Sequence, residues 1–221
     1  VKDSVLTDFR VPSTLVIEGP PGAGKTALAR LLAGRLNGRL VLEKTEDNPF
    51  LPLFHRDMGK WAFQTQIAFL LQRYERLGEL GRTDLFHGLT ISDFCFHRDG
   101  IFARATLSER EQELYVKLSG ALAPSAVAPD LVIYLQASPG FLTERLFRHG
   151  RPFEKDVSRS WTERLVDSYN SFFLRERHFP TLVVSAERPL DEPRALSALV
   201  ESVRDHRGGL SSFSPVFERF L

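Results

Sequence analysis

Apolar residues along this 221-residue chain follow two periods in turn, and that alternation sets the fold class. Short dense runs at Leu15–Ile17, Arg39–Glu43, His87–Asp93, Leu131–Leu135 and Thr181–Ser185 read as five strands. Between them the spacing becomes helical. Leu28, Leu31 and Leu32 share one face, and residues 57–80 carry Phe63, Ile67, Leu70 and Tyr74, broadened by Trp61, Ala68 and Leu71. Further helices are predicted with Leu114, Leu118 and Leu122, with Trp161, Leu165, Tyr169 and Phe172, and over 191–206. Ser108 with Glu111 and Ser160 with Glu163 read as capping boxes, and Ser138-Pro139 as a helix start. Glu46-Asp47-Asn48-Pro49 and Pro52 read as a loop. Strand and helix in alternation predict one α/β domain over 1–221 with a parallel sheet, its tail at 207–221 left unassigned after Gly208-Gly209.

Composition narrows the partners. Lys plus Arg number 29 against 28 Asp plus Glu, so there is no excess positive charge for a nucleic-acid backbone or an anionic membrane, and a small soluble ligand is favoured. Cys95 stands alone, which excludes an intrachain disulfide framework. No apolar run reaches the roughly 18 residues of a membrane span, and Val1 to Arg10 lack a signal-peptide core, so a cytoplasmic protein is expected.

The strongest chemistry lies in Gly19-Pro20-Pro21-Gly22-Ala23-Gly24-Lys25-Thr26, a full match to the phosphate-binding loop pattern. A glycine-rich turn with an accidental lysine would lack the strand before it and the helix after it. Here the loop's backbone N–H groups close around an anion, Lys25 reaches the β/γ-phosphates of ATP, and Thr26 offers its hydroxyl to Mg²⁺.

Two strands end in acids, Glu43 and Asp93, at the edge where open α/β sheets bind ligands. From position alone, Glu43 is equally well read as a solvated charge or as a group facing a substrate hydroxyl. Asp93 stands where such enzymes place a carboxylate of the Mg²⁺ shell. Gln64 borders the apolar stripe of its helix, where an amide shows itself to a ligand or, slightly better on pattern, to solvent. His97-Arg98-Asp99 imitates a protein-kinase catalytic loop, but no other kinase motif accompanies it. Arg145, Arg148 and Arg151 around Gly150 suit a lid at about 148–157 that clamps phosphates; a charged helix end is the plainer alternative.

Read together, the phosphate loop, Glu43 with Asp47-Asn48-Pro49, Trp61-Ala62-Phe63-Gln64-Thr65-Gln66, Ser92-Asp93-Phe94 and Gly150-Arg151-Pro152-Phe153-Glu154 resemble the deoxyribonucleoside kinase family, and its bacterial deoxyguanosine/deoxyadenosine kinases in particular. The resemblance runs from about Leu15 to about Ser185. It implies a five-stranded parallel sheet with helices on both faces, a homodimer, and transfer of the γ-phosphoryl of ATP to the 5′-hydroxyl of a deoxyribonucleoside, with a purine expected. It also implies that Glu43 is the general base, Gln64 binds the base edge, and Trp61 and Phe94 wall the pocket. By the same resemblance Arg151, with Arg148 beside it, grips phosphate, and Glu154 meets the sugar 3′-hydroxyl.

The chain departs from the family pattern in three places. Ser92-Asp93-Phe94 replaces an acid-Arg-Ser triplet, so no arginine for Glu43 is supplied there. His149 takes the place of a lid arginine, and Phe54-His55-Arg56 stands where a tyrosine touches the sugar, leaving His55 as the polar candidate. A nucleoside monophosphate kinase would share the fold, but thymidylate kinases carry Asp-Arg-Tyr or Asp-Arg-His at the third strand end. A nucleotide switch or ATPase subunit is less suited to an acid-ended pocket under an arginine-rich lid, and the Asn-Lys-x-Asp guanine signature is missing.

Overall fold

A computed structural model describes residues 12–80, 88–96, 98–123, 128–155 and 157–214. Its strands are β1 (Thr14–Glu18), β2 (Arg39–Val41), β3 (Thr90–Ser92), β4 (Leu131–Gln136), β5 (Thr181–Ser185) and β6 (Leu210–Phe213). They pair in parallel in the order β2-β3-β1-β4-β5-β6. Parallel neighbours require crossovers, and eight helices supply them among the described residues: α1 (Lys25–Leu36), α2 (Leu51–Arg56), α3 (Met58–Leu80), α4 (Arg98–Thr106), α5 (Glu109–Leu122), α6 (Pro139–His149), α7 (Arg159–Asn170) and α8 (Pro193–Asp205).

Side chains on a strand alternate between its faces, so β1 and β4 each feed two cores. Leu15, Ile17, Leu131, Ile133 and Leu135 pack with α1 and α8, while Val16, Val132 and Tyr134 pack with residues of α3, α4 and α7. Burial on both faces explains why these strands read as unbroken apolar runs. Chain order reverses at β1, with β3 on one side and β4 on the other, and the crevice at such a switch point is where ligands of this architecture bind.

The expectation of five strands is corrected to six. Leu210-Ser211-Ser212-Phe213 has no apolar alternation of its own and is largely exposed, but it completes the free edge of β5. Gly208 and Gly209 adopt φ of 94° and 72°, a turn open mainly to glycine, and the Gly209 carbonyl accepts the Thr181 N–H at 2.8 Å. Residues 215–221 of the tail, with Gly81, His87 and Asp156, lie outside the described residues.

Local corrections are smaller. The predicted loop holds a 3₁₀ turn at Thr45–Asp47 and all of α2, because Pro52 falls in the first helical turn, where a missing N–H costs nothing. The Ser108–Glu111 capping box forms as read. α7, by contrast, is capped by Ser158, which accepts the Trp161 N–H at 3.3 Å, rather than by Ser160. β2 and β3 end before Glu43 and Asp93, which sit just beyond their carboxyl ends.

Candidate active site

A cleft of about 820 Å³ opens over the carboxyl ends of β1, β2 and β3. Pro21, Gly22, Gly24, Lys25 and Thr26 line one side, and Ala23 turns into the core instead. Gly24 caps α1 at φ 94°, a left-handed conformation that a side chain would strain, and this aims the first N–H groups of α1 at the cleft. Lys25 Nζ donates to the carbonyls of Gly19 (2.7 Å) and Pro20 (3.1 Å), and burial pulls its pKa down to about 8.

Three groups predicted separately are tied together here. Thr26 Oγ1 donates to Asp93 Oδ2, and Asp93 Oδ1 accepts the Glu43 N–H at 2.8 Å. A hydroxyl beside a carboxylate on the phosphate loop is an oxygen set that fits a hard divalent cation. Among the described residues no cluster of three or more His, Cys, Asp or Glu could form a full cage. Mg²⁺ would therefore be shared between Thr26, Asp93 and nucleotide phosphates.

Glu43 is almost wholly buried between two arginines. Arg73 of α3 donates through Nε at 2.8 Å and also through Nη2, and Arg98 of α4 donates through Nη1 to Oε2 at 2.7 Å. Burial alone would raise the carboxyl's pKa, but the two guanidinium charges outweigh it and hold it at about 2. Glu43 is thus ionised throughout the physiological range. Arg98 answers what the strand-end triplet left open. It belongs to the segment that imitated a kinase loop, whose His97 lies outside the described residues.

The helix expected to carry a base-reading glutamine turns a different face to the cleft. Gln64 is exposed and outside the cleft, whereas Gln66 is 2% exposed, lines the cleft, and has no hydrogen-bond partner among the described residues. The buried stripe of α3 runs Ala62, Thr65, Gln66, Leu70 and Arg73, with Ile67 partly buried against the core beside it and Leu71 turned outward. Trp61 stacks on Phe50 at 6.0 Å, away from the cleft, and Phe94 is sealed in the core. The aromatic walls are Phe54, Phe69, Phe102 and Trp161. Gln66 and Arg73 lie seven residues apart on a common face with Ala62 and Leu70, and that spacing is the signal in the sequence that could have found both.

His55 and Glu154 both line the cleft. The His55 ring lies 5.1 Å from that of Phe153, and burial lowers its pKa against a partial opposing pull from Glu154. Glu154 also accepts the Arg151 N–H at 2.8 Å, closing a short turn at Pro152–Glu154. Arg151 reaches across to Thr45 Oγ1 and stands 3.7 Å from Glu46. Arg148 does not join it: two thirds exposed, it pairs with Glu144 one turn back at 2.6 Å. Arg145 takes that place in the cleft, its guanidinium against Gly24 of the phosphate loop. The two lie three residues apart, about 60° around α6, and Arg145 is the one nearer the buried face of Leu142 and Leu146.

Comparison with known proteins agrees with this geometry. A family model described as deoxynucleoside kinase matches residues 15–206. The chain is 37% identical over 156 residues to a deoxyguanosine kinase of Bacillus subtilis, covering 70% of this chain and 75% of the relative. It is 30% identical to a deoxyadenosine/deoxycytidine kinase of the same organism, covering 79% and 83%. Among solved structures, a deoxyadenosine kinase from M. mycoides with products dCMP and a flexible dCDP bound superposes with a TM-score of 0.77 at 23% identity, over 86% of this chain and 98% of that one.

Proposed function

Because this chain belongs to the deoxynucleoside kinase family, we propose that it transfers the γ-phosphoryl of ATP to the 5′-hydroxyl of a purine deoxyribonucleoside, giving the 5′-monophosphate and ADP. The observation that carries this reading is the convergence in one cleft of the phosphate loop, the ionised Glu43 and the buried amide of Gln66. A phosphate loop alone fits any nucleotide-binding protein. A carboxylate and a base-reading amide beside it fit a nucleoside acceptor.

In this mechanism Glu43 accepts the proton of the 5′-hydroxyl as oxygen attacks the γ-phosphorus, and the bond to the β-bridging oxygen breaks. Arg73 and Arg98 fix both carboxylate oxygens, which leaves one direction for the incoming hydroxyl. Lys25, Arg145 and Arg151 neutralise the charge that spreads over the transferred group. Thr26 and Asp93 would hold Mg²⁺, which would supply further neutralisation of the phosphate charge. His55 and Glu154 face the sugar. The amide of Gln66 offers a donor beside an acceptor, which suits the N6/N7 edge of adenine and can turn to suit other edges. The preference for a purine is supported by the relative at 37% identity, which is a deoxyguanosine kinase. A panel of the four deoxyribonucleosides with ATP and Mg²⁺ tests it; thymidine or deoxycytidine giving the highest kcat/KM would refute it.

We further propose a homodimer and a cytoplasmic enzyme. Leu71 and Tyr74 of α3 and Leu114 and Leu118 of α5 are 39–50% exposed on a single chain, apolar side chains that a second copy would cover. No helix among the described residues is long and apolar enough to cross a membrane.

A further inference from the structure

Glu18 takes no part in the transfer described above, yet three pieces of the site meet on it. It ends β1, and its side chain is fully buried. Oε1 accepts the N–H of Cys95, two residues beyond Asp93, at 3.0 Å. Oε2 accepts the N–H of Gly19, the first residue of the phosphate loop, at 3.3 Å. The same oxygen stands 3.9 Å from Nε of Arg98, whose Nη1 holds Glu43.

The two N–H groups fall on different oxygens, so a carboxylate accepts both where an amide, with a single oxygen, would face one of them with its own N–H. Burial raises the pKa of the Glu18 carboxyl, and Arg98 of α4, Lys25 of α1 and Arg73 of α3 pull against that rise with positive charge, while Glu43 adds to it. Tyr169 of α7 closes the space behind them, fully buried. Arg98 lies over the Phe102 ring at 5.5 Å with a carboxylate near each edge of its guanidinium. Nη1 is hydrogen-bonded to Glu43, and the Glu18 carboxylate at ion-pair distance on the Nε side opposes a swing of that plane.

We propose that Glu18 is a positioning residue, whose carboxylate fixes Arg98 against Glu43 so that the base oxygen stays aimed at the acceptor hydroxyl. The proposal rests on Glu43 being the general base. A small misplacement of a reacting group is enough to cost on the order of 10²-fold in rate, whereas substrate binding at the phosphate loop and at Gln66 does not pass through Arg98.

The test is steady-state kinetics on Glu18→Gln, Arg98→Gln, the double variant and Glu43→Gln. Glu18→Gln removes the charge and keeps one acceptor oxygen for the two N–H groups. It is expected to lower kcat by about 10-fold or more with both KM values within about 3-fold, and to add less than about 2-fold in the Arg98→Gln background. A folded Glu18→Gln enzyme with wild-type kcat, or losses that multiply fully in the double variant, would overturn the proposal. If Glu18→Gln does not fold, Glu18→Asp decides, since it keeps the charge but withdraws it from Arg98: a lower kcat at unchanged KM supports the role, and wild-type kcat removes it. Near-normal turnover in Glu43→Gln would instead refute the base assignment, a separate outcome.

Discussion

Arg98 Nη1 stands 2.7 Å from Glu43 Oε2, although 55 residues separate the two in the chain. The arginine that the third strand end does not provide is delivered from the first turn of α4, and Arg73 of α3 takes the other carboxylate oxygen. The Glu43 carboxylate is therefore held by two helices, and its backbone N–H by the side chain of Asp93.

Replacing Glu43 by Gln should lower turnover by at least roughly 10²-fold, the scale of a lost general base, while ATP still binds. Saturating-substrate kinetics with a separate ATP-binding titration checks this. Retained turnover would take Glu43 out of the mechanism.

The two glutamines of α3 should separate cleanly. Gln66→Ala is expected to cut kcat/KM for the best purine deoxyribonucleoside by ~10-fold or more, since a buried partner to the base is lost. Gln64→Ala, on the exposed face, should stay within about 2-fold. Equal effects would mean that α3 is rotated from the orientation described.

Phosphate contacts should split by position. Lys25→Ala is expected to weaken ATP binding and abolish most transfer. Arg151→Ala should lower kcat more than it weakens ATP binding, because a lid acts once closed. Arg148→Ala should change neither by more than about 2-fold, as its partner is Glu144 on its own helix. Loss of activity in Arg148→Ala equal to that in Arg151→Ala would contradict the assignment.

The Glu43 cluster also sets an acid limit on stability. Its folded pKa of about 2 lies below the ordinary 4.5, so the unfolded chain binds the proton more readily. The stabilisation is complete above about pH 4.5 and is lost as pH falls towards 2. Urea midpoints measured between pH 5 and pH 3 should fall less steeply for Glu43→Gln than for the wild type; parallel slopes would show that the carboxylate is not held by its arginines.

A charge on the apolar face should split the assembly. Leu71→Asp with Leu118→Asp is expected to convert a dimer into a monomer in sedimentation equilibrium, without loss of helix content, because both side chains are substantially exposed on the single chain. A wild-type protein that sediments as a monomer would dispose of the idea.

Patterning along the chain was sufficient for the alternation of strand and helix, the phosphate loop and the two strand-end acids. Each is a local feature: a dense apolar run, a glycine spacing, or a charge just past a strand. A resemblance in residue order added the kind of reaction. What local pattern could not decide was which way a helix faces. Gln64 and Gln66 are two residues apart, about 200° around a helix, and so are opposed. Of the stripe Phe63, Ile67, Leu70 and Tyr74, Leu70 is buried and Phe63 and Ile67 pack partly against the core, but Tyr74 is left outward and the polar Thr65, Gln66 and Arg73, which an apolar pattern passes over, share the buried face to serve the cleft. Arg145 and Arg148 were ambiguous for the same reason. β6 escaped notice because an edge strand takes its stability from its neighbour's unpaired backbone and leaves its own side chains exposed. The quartet of Glu18, Glu43, Arg73 and Arg98 comes from four elements, and only tertiary packing brings charges so distant in sequence to one buried point, where each is tolerable solely because the others are there.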